Sequence, residues 1–180
     1  MKNKIIKNMK KGFPPIANKK ARILILGSMP GKESLRKNEY YANPRNVFWR
    51  IMAGLYEFGQ DTGYEGRIRI LRKNKIALWD VMNACERRGS LDSAIKDSTI
   101  VENDFVSFYR SHPKIIHVFF NGIKAEREYK KRVKPRLSHE VKGTKYYRLP
   151  STSPAMARMS FEEKQIKWSM IKKLTERYVR

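Results

Sequence analysis

Residues 21–52 read ARILILGSMPGKESLRKNEYYANPRNVFWRIM, and the opening of that stretch sets the fold. Ile23-Leu24-Ile25-Leu26 is an unbroken aliphatic run with no polar alternation, the pattern of a strand buried on both faces. It stops at Gly27-Ser28-Met29-Pro30-Gly31, a turn in which two glycines and a small serine let a ligand come close to the main chain. A helix starting between Lys32 and Leu35 would aim the positive end of its dipole at the same place. Tyr40-Tyr41, Pro44, Asn46 and Phe48-Trp49 follow, supplying flat aromatic faces, a fixed bend and an uncharged amide. That set of groups suits a flat heterocycle.

Further strands and helices alternate along the chain. Helical spacing covers Asn46 to Phe58, with Phe48, Ile51, Met52 and Leu55 on one face, and Gly63 to Asn74 forms a short basic helix. Ile76 to Trp79 is a second buried strand closed by Asp80, Val81 to Asp97 reads as an irregular connection, and helical spacing returns from Ile100 to Arg110. A third strand runs from Ile115 to Phe120 and ends in Asn121-Gly122; a basic helix covers Ile123 to Val133; Thr144 to Leu149 is a fourth strand. Ser160 and Glu163 form the Ser-x-x-Glu signature of a capping box at the start of a last helix, Ser160 to Tyr178. The alternation predicts an α/β fold, a single three-layer α/β/α sandwich around a central, mostly parallel four-stranded sheet. Ligands of such sheets bind beyond the carboxyl ends of the strands, where Gly27 to Gly31, Asp80 to Asn83, Asn121-Gly122 and Pro150 to Ala155 would meet.

At 180 residues and 41% hydrophobic, the chain fits one domain with a real core over 12–180, preceded by a basic, mobile arm over 1–11. The lone Cys85 excludes an internal disulfide, a four-cysteine zinc site and a cysteine-ligated iron–sulfur cluster. No apolar run is long enough to span a membrane and no signal-peptide core is present, so a soluble, cytoplasmic protein is expected, as a monomer. Forty Lys and Arg against 17 Asp and Glu give a net charge of +23, a field that draws in polyanions, and nucleic acid is the expected partner. His112, His117 and His139 lack ligand-like spacing and no nucleotide-cofactor motif occurs, so neither metal nor cofactor is expected.

The combination Gly27-x-x-Pro30-Gly31, Tyr41-Ala42-Asn43-Pro44-Arg45-Asn46-x-Phe48-Trp49 and Leu149-Pro150-Ser151-Thr152-Ser153-Pro154-Ala155 resembles the uracil-DNA glycosylase superfamily. The first two pieces are similar to its mismatch-specific branch, and all three together, in this order, to the hypoxanthine-DNA glycosylase family; the resemblance spans about Gly12 to Trp168. It implies a DNA glycosylase that flips a deaminated base out of damaged DNA, hypoxanthine first and uracil second, and hydrolyses its N-glycosidic bond. No lysine nucleophile stands in the motif, so an abasic site without strand cleavage is implied. The mismatch-specific branch carries Asn, which positions the attacking water, where this chain has Met29, a side chain unable to hold a water in that way. Asn46 is the amide implicated in activity and is the expected catalytic residue.

The resemblance places Gly27, Ser28, Met29, Pro30, Gly31, Tyr41 and Phe48 around the base, with Tyr41 as the stacking face. Ser151, Thr152, Ser153, Pro154, Met156 and Arg158 would contact DNA, the serines and threonine through phosphates and Met156, Arg158 or Met159 as a wedge in the vacated stack; apart from the resemblance, Asn121, with Gly122 before a basic helix, could bind phosphate at the helix end. Relatives often carry Asn where Met156 stands. Taken alone, each piece has a plainer meaning: Tyr40-Tyr41 as half-buried aromatics, Asn46 as a helix cap, Pro150 to Arg158 as a Ser-Pro turn; Asp80 and Asp92 could be acids near the site but read more readily as turn or cap residues. Two other functions compete: a mismatch-type uracil or thymine glycosylase, and a noncatalytic protein that senses DNA damage.

Overall fold

The computed structural model describes residues 9–137 and 141–179. His139 and the first eight residues of the expected arm lie outside these bounds. In chain order the elements are β1 (Met9–Lys11), β2 (Ile23–Gly27), α1 (Lys32–Lys37), α2 (Phe48–Tyr56), α3 (Tyr64–Lys73), β3 (Ile76–Asp80), β4 (Met82–Glu86), β5 (Val101–Glu102), α4 (Phe105–Ser111), β6 (His117–Asn121), α5 (Ile123–Glu128), β7 (Lys145–Leu149) and α6 (Phe161–Val179). A π-helical turn, Tyr129–Val133, extends α5.

The main sheet has the order β3-β2-β6-β7 and every neighbouring pair is parallel. Strand β2 lies inside, with Leu24 beside Ala77 of β3 on one side and Val118 of β6 on the other. Its successive crossovers leave in opposite directions, which opens a crevice at the carboxyl ends of β2 and β6. Ile23 to Leu26 are fully buried, as the unbroken apolar run predicts. Each such side chain contributes about 1.5–3 kcal/mol by leaving water.

Helices cover both faces. Trp79 of β3 packs its ring 4.9 Å and 4.8 Å from those of Phe105 and Phe108 on α4, and Phe120 of β6 lies 5.2 Å from Tyr129 beyond α5. On the other face Phe48 of α2 meets Trp168 of α6 edge-on at 5.8 Å. Tyr178, near the end of α6, reaches back to share a 2.8 Å hydrogen bond with His117 Nε2 of β6. The expected three-layer sandwich is present.

The sequence reading is corrected at the sheet's edge. Val81 to Asp97 is not irregular throughout: Met82–Glu86 is a strand paired antiparallel with Met9–Lys11 and with Val101–Glu102, making a second, three-stranded sheet. The expected arm therefore does not extend to Lys11. What holds this small sheet is a separate apolar cluster of Met29, Met82, Cys85, Ile95 and Ile100, residues too scattered in sequence to show a local period. The helix expected from Ile100 begins only at Phe105, where the Asp104 side chain accepts a 3.1 Å hydrogen bond from Ser107 N–H. Likewise α2 starts at Phe48, not Asn46. Among the described residues no helix is long and apolar enough to cross a membrane.

The capping box of α6 is formed as the sequence predicts. Ser160 Oγ accepts from Glu163 N–H at 3.1 Å, and Glu163 Oε2 accepts from Ser160 N–H at 2.7 Å. Ser160→Ala should lower the unfolding free energy by about 1 kcal/mol without changing the urea dependence; urea titration followed by circular dichroism reads it, and an unchanged midpoint would show that α6 is held by packing alone.

Candidate active site

The carboxyl ends of β2, β3 and β6 and the loop after β7 enclose a pocket of about 430 Å³. Gly27, Ser28, Met29, Pro30 and Gly31 form one wall, Tyr41 and Asn46 a second, Ser151 to Met156 a third, and Asp80 and Asn121 also line it. The residues expected from separate stretches of sequence are thus brought to one place.

Gly27 is required by a close approach. A Cβ there would lie 2.2 Å from Asp80 Oδ1 and 3.0 Å from Tyr41 Oη, so the end of β2 has room for both groups only because it has no side chain. Tyr41 has φ +55°, the left-handed region that bulky side chains seldom occupy. Its ring stacks on Phe48 at 4.0 Å and 20°, and its hydroxyl accepts a 3.0 Å hydrogen bond from Asn121 Nδ2. Burial, with the Asp80 carboxyl adding to it, raises the Tyr41 pKa well above the usual range, and the Asn121 bond opposes the shift only partly. The hydroxyl therefore stays neutral.

Phe48 is fully buried and does not line the pocket, contrary to its expected place beside the base. It backs Tyr41 instead. Tyr40 is held elsewhere: its hydroxyl donates to Pro14 O at 3.1 Å and its carbonyl accepts from Trp49 Nε1 at 2.8 Å.

Asn46 stands one residue before the N-cap of α2, which is Val47 and not Asn46 as the plainer reading had it. Its Oδ1 accepts from Phe48 N–H at 3.0 Å, fastening the start of α2, and the side chain lines the pocket. Asn43 makes the same local turn, its Oδ1 accepting from Arg45 N–H at 2.9 Å. Among the described residues, one Oδ1 lone pair and the Nδ2 hydrogens of Asn46 are left to face a ligand.

Asn121 and Thr152 are committed internally. Asn121 Nδ2 donates to Thr152 Oγ1 at 2.9 Å as well as to Tyr41, and Asn121 Oδ1 accepts from Thr152 N–H at 2.9 Å. Val47 N–H donates to Thr152 O at 3.1 Å. This lattice ties the loops after β6 and β7 to the start of α2. Thr152 is 1% exposed, so it cannot reach a phosphate as expected, whereas Ser151 and Ser153 accept only local backbone bonds and keep their hydroxyl hydrogens. Pro154 and Arg158 are exposed, Met156 half-buried; Met156 lines the pocket and Arg158 does not.

Two groups were under-read from sequence. Asp80 is 4% exposed, and its Oδ2 has no hydrogen-bond partner among the described residues. Burial chiefly, and the nearby Asp92 carboxyl next, push its pKa up to about 8, against the pull of Arg87. Its position at the carboxyl end of a parallel strand was the available signal, since such ends face ligands. Asp92, at the rim, binds Ser28 Oγ–H through both oxygens at 2.8 Å and 2.9 Å; desolvation against the pocket wall still raises its pKa.

Arg87 is a buried cation whose guanidinium donates to the carbonyls of Met29 and, more closely, Pro30. In a trans peptide the N–H points opposite to the carbonyl, so Gly31 N–H faces away from Arg87. Ser90 Oγ accepts Lys32 N–H at 3.0 Å, so the first amide of α1 is already used and does not await a ligand. Nothing local in the sequence announces either contact, because the partners lie 57 and 58 residues apart.

The fold is thus a parallel α/β sheet with aromatic, amide and acid groups gathered in a crevice at its switch point. The sequence pattern of the Uracil DNA glycosylase superfamily matches residues 14–175. A hypoxanthine DNA glycosylase of Methanosarcina acetivorans is 40% identical over 164 residues, covering 91% of this chain and 98% of that protein. One from Methanosarcina barkeri is 44% identical over 117 residues, 64% of this chain and 73% of that protein. The solution NMR structure of a candidate uracil DNA glycosylase from Methanosarcina acetivorans superimposes with a TM-score of 0.76 at 38% identity, covering 93% of this chain and 99% of that one. The chain belongs to the uracil DNA glycosylase superfamily and is a DNA glycosylase.

Asp80 should be visible in the pH dependence of stability. A carboxyl moved from the ordinary 3.8 to about 8 holds a proton in the folded state that the unfolded chain gives up, so its contribution is intact below about pH 4 and is lost as pH rises to about 8. Asp80→Asn copies the neutral acid and should gain stability relative to the parent as pH goes from 5 to 8. Thermal melts of both proteins across that range test this; a constant difference would mean that Asp80 is ionised throughout.

Proposed function

We propose that this glycosylase excises deaminated bases flipped out of DNA, hypoxanthine first and uracil second, by attack of water and without a covalent lysine adduct. The observation that carries the reading is the meeting in one pocket of Tyr41, Asn46 and a buried Asp80 whose Oδ2 has no hydrogen-bond partner among the described residues. The choice of base is supported by the hypoxanthine DNA glycosylases that this chain resembles at 40% and 44% identity.

The flipped base enters beside Tyr41, whose ring is kept flat by Phe48 and whose hydroxyl is kept in place by Asn121. Stacking of a base on an aromatic ring is worth about 1–3 kcal/mol. Cleavage breaks the bond between the sugar C1′ and the base nitrogen, and the bonding electrons leave with the base. The protonated Asp80 carboxyl passes its proton to the edge of the base as that charge develops, and the proton lost by the water that adds to C1′ returns through solvent to Asp80, so that the base leaves neutral and the acid is restored. Asn46 orients the water or the base through its free lone pair and Nδ2; an amide is too weakly basic to remove a proton at neutral pH. Positioning and electrostatics therefore carry the rate. Ser151, Ser153, Pro154 and Met156 meet the DNA strand beside the flipped nucleotide, and the surrounding positive charge holds its phosphates.

Single-turnover assays on labelled duplexes containing hypoxanthine, uracil, xanthine or a thymine mismatch, with alkali to reveal abasic sites, test the reading. Hypoxanthine should be released fastest and borohydride should trap no protein–DNA adduct. Release of thymine or uracil only would favour the mismatch-type enzyme, and binding without any release a damage sensor. Asn46→Ala should lower the rate about 10²–10³-fold while leaving DNA affinity within about twofold, because affinity rests on many phosphate contacts; unchanged turnover would remove Asn46 from the reaction.

A further inference from the structure

Water adding to C1′ becomes acidic as its oxygen bonds to carbon, and at that moment neither the Asn46 amide nor a protonated Asp80 can take its proton. Among the described residues, the carboxyls lining the pocket besides Asp80 are Glu33 and Asp92. Glu33 Oε2 is engaged by Arg36, whose Nε and Nη2 both stand 3.0 Å away. Asp92 is the group left.

Asp92 enters from the turn after β4. Its main-chain carbonyl accepts Ile95 N–H at 3.2 Å, and Ile95 is buried in the apolar cluster with Met29 and Met82, so the turn that carries the carboxylate is anchored against the loop after β2. Ser28 Oγ–H lies 2.8 Å and 2.9 Å from the two carboxylate oxygens. A single hydroxyl proton uses only part of what a carboxylate can accept, so lone pairs remain for a water. Asp92 thus sets an anion beside Met29, which offers no polar group.

The surroundings of the two aspartates differ. Around Asp92 stand Asp80 at the end of β3, Tyr41 ahead of α2, Cys85 in β4, Arg87 just after it and Lys124 of α5. The Ser28 bond and the charges of Arg87 and Lys124 favour ionised Asp92 against the desolvation that raises its pKa, and the residue is open to solvent at the rim. Asp80 is enclosed, with its Oδ2 unpartnered among the described residues. Two carboxyls whose environments are set apart in this way divide into an acid and a base.

We propose that Asp92 is the catalytic base, its carboxylate taking a proton from the attacking water as the C1′–O bond forms. The C1′–N bond breaks, its electron pair leaves with the base, and Asp80 protonates that base. The proton held by Asp92 then passes through solvent to Asp80, which restores both groups. While the sugar carries positive charge, the Asp92 anion also stabilises it. The inference rests on the base-excision reading above.

Asp92→Asn isolates the chemistry, because the amide oxygen can still accept Ser28 Oγ–H but takes no proton at neutral pH. Single-turnover release of hypoxanthine, or of whichever base the wild type releases, should fall about 10²-fold or more, and Asp92→Glu should recover part of the rate. Ser28→Ala, which removes only the hydroxyl that holds Asp92, should cost less than about tenfold. The wild-type rate should decline toward acid pH as Asp92 is protonated, and this limb should vanish in Asp92→Asn. The alkaline limb set by Asp80 should move to lower pH in the same variant, because the neighbouring charge that helps to hold its proton is gone. A rate within about threefold of wild type, equal losses in Asp92→Asn and Ser28→Ala, or an acid limb retained in Asp92→Asn would overturn the proposal. A duplex in which a cationic pyrrolidine replaces the sugar of the flipped nucleotide gives a readout without turnover. The wild type should bind it about tenfold or more tightly than a duplex carrying the neutral tetrahydrofuran, and Asp92→Asn should lose that preference. If the wild type released no base the excision reading would fail, while the pyrrolidine comparison would still decide Asp92, an equal preference in both proteins overturning its role.

Discussion

Two groups share the space above the last residue of β2. Asp80 Oδ1 and Tyr41 Oη come so close to Gly27 that any Cβ would collide with the carboxylate oxygen at 2.2 Å and crowd the hydroxyl at 3.0 Å. A side chain at this point would push Asp80 off the end of β3 or Tyr41 off its stack on Phe48. Either movement empties the crevice of its chemistry. The bare backbone at the switch point of the sheet is therefore what allows the adjacent strand to contribute an acid and the following loop an aromatic to the same cavity. The left-handed backbone of Tyr41, at φ +55°, is the accompanying strain.

Two sets of polar bonds keep that arrangement from collapsing. Asn121 uses both ends of its amide on Tyr41 and Thr152, and Thr152 O accepts Val47 N–H, so the wall after β7, the end of β6 and the start of α2 move as one body. On the opposite side, Arg87 holds the carbonyls of Met29 and Pro30, while Ser90 and Asp92 hold Lys32 N–H and Ser28. The Arg87 bonds are buried and the Asn121 set partly so, where hydrogen bonds are strong and a missing partner is costly, while the Ser28 and Lys32 bonds lie at the exposed rim. Pocket walls fixed in this way lose little order when a base arrives.

Much of this was legible in the sequence, for reasons that also explain what was not. The runs at Ile23, Ile76, Ile115 and Thr144 announce buried parallel strands because the residues themselves are the signal, and the Ser160/Glu163 pair announces the start of α6 because its partners are three residues apart. The strands Met9–Lys11 and Val101–Glu102 are short edges whose identity depends on pairing with Met82–Glu86, far away in the chain. Within the site, Tyr41 and Asn46 both line the cavity, but residue type alone does not tell a ring that faces it from one that backs it. Phe48 was assigned the first role and has the second, and Thr152, a free hydroxyl on paper, is enclosed by Asn121. Arg87 was invisible because its partners are main-chain carbonyls, which no sequence pattern marks.

The electrostatics separate the surface from the pocket. A net charge of +23 gathers phosphates, yet the cavity proposed for the base is lined by Glu33, Asp80 and Asp92. Were all three ionised, the pocket would repel the phosphates flanking the flipped nucleotide as they came near. Burial resolves the conflict at Asp80 by keeping it protonated up to about pH 8, and the same proton makes it a donor. A departing base accumulates negative charge, which an ionised carboxylate would oppose and a neutral acid accepts through a hydrogen bond. The substitution of Met29 for a polar loop residue fits this arrangement. With an acid on the base side and the Asn46 amide nearby, the loop after β2 need only be small, rigid and dry, and a methionine packed into the apolar cluster beneath it meets that need.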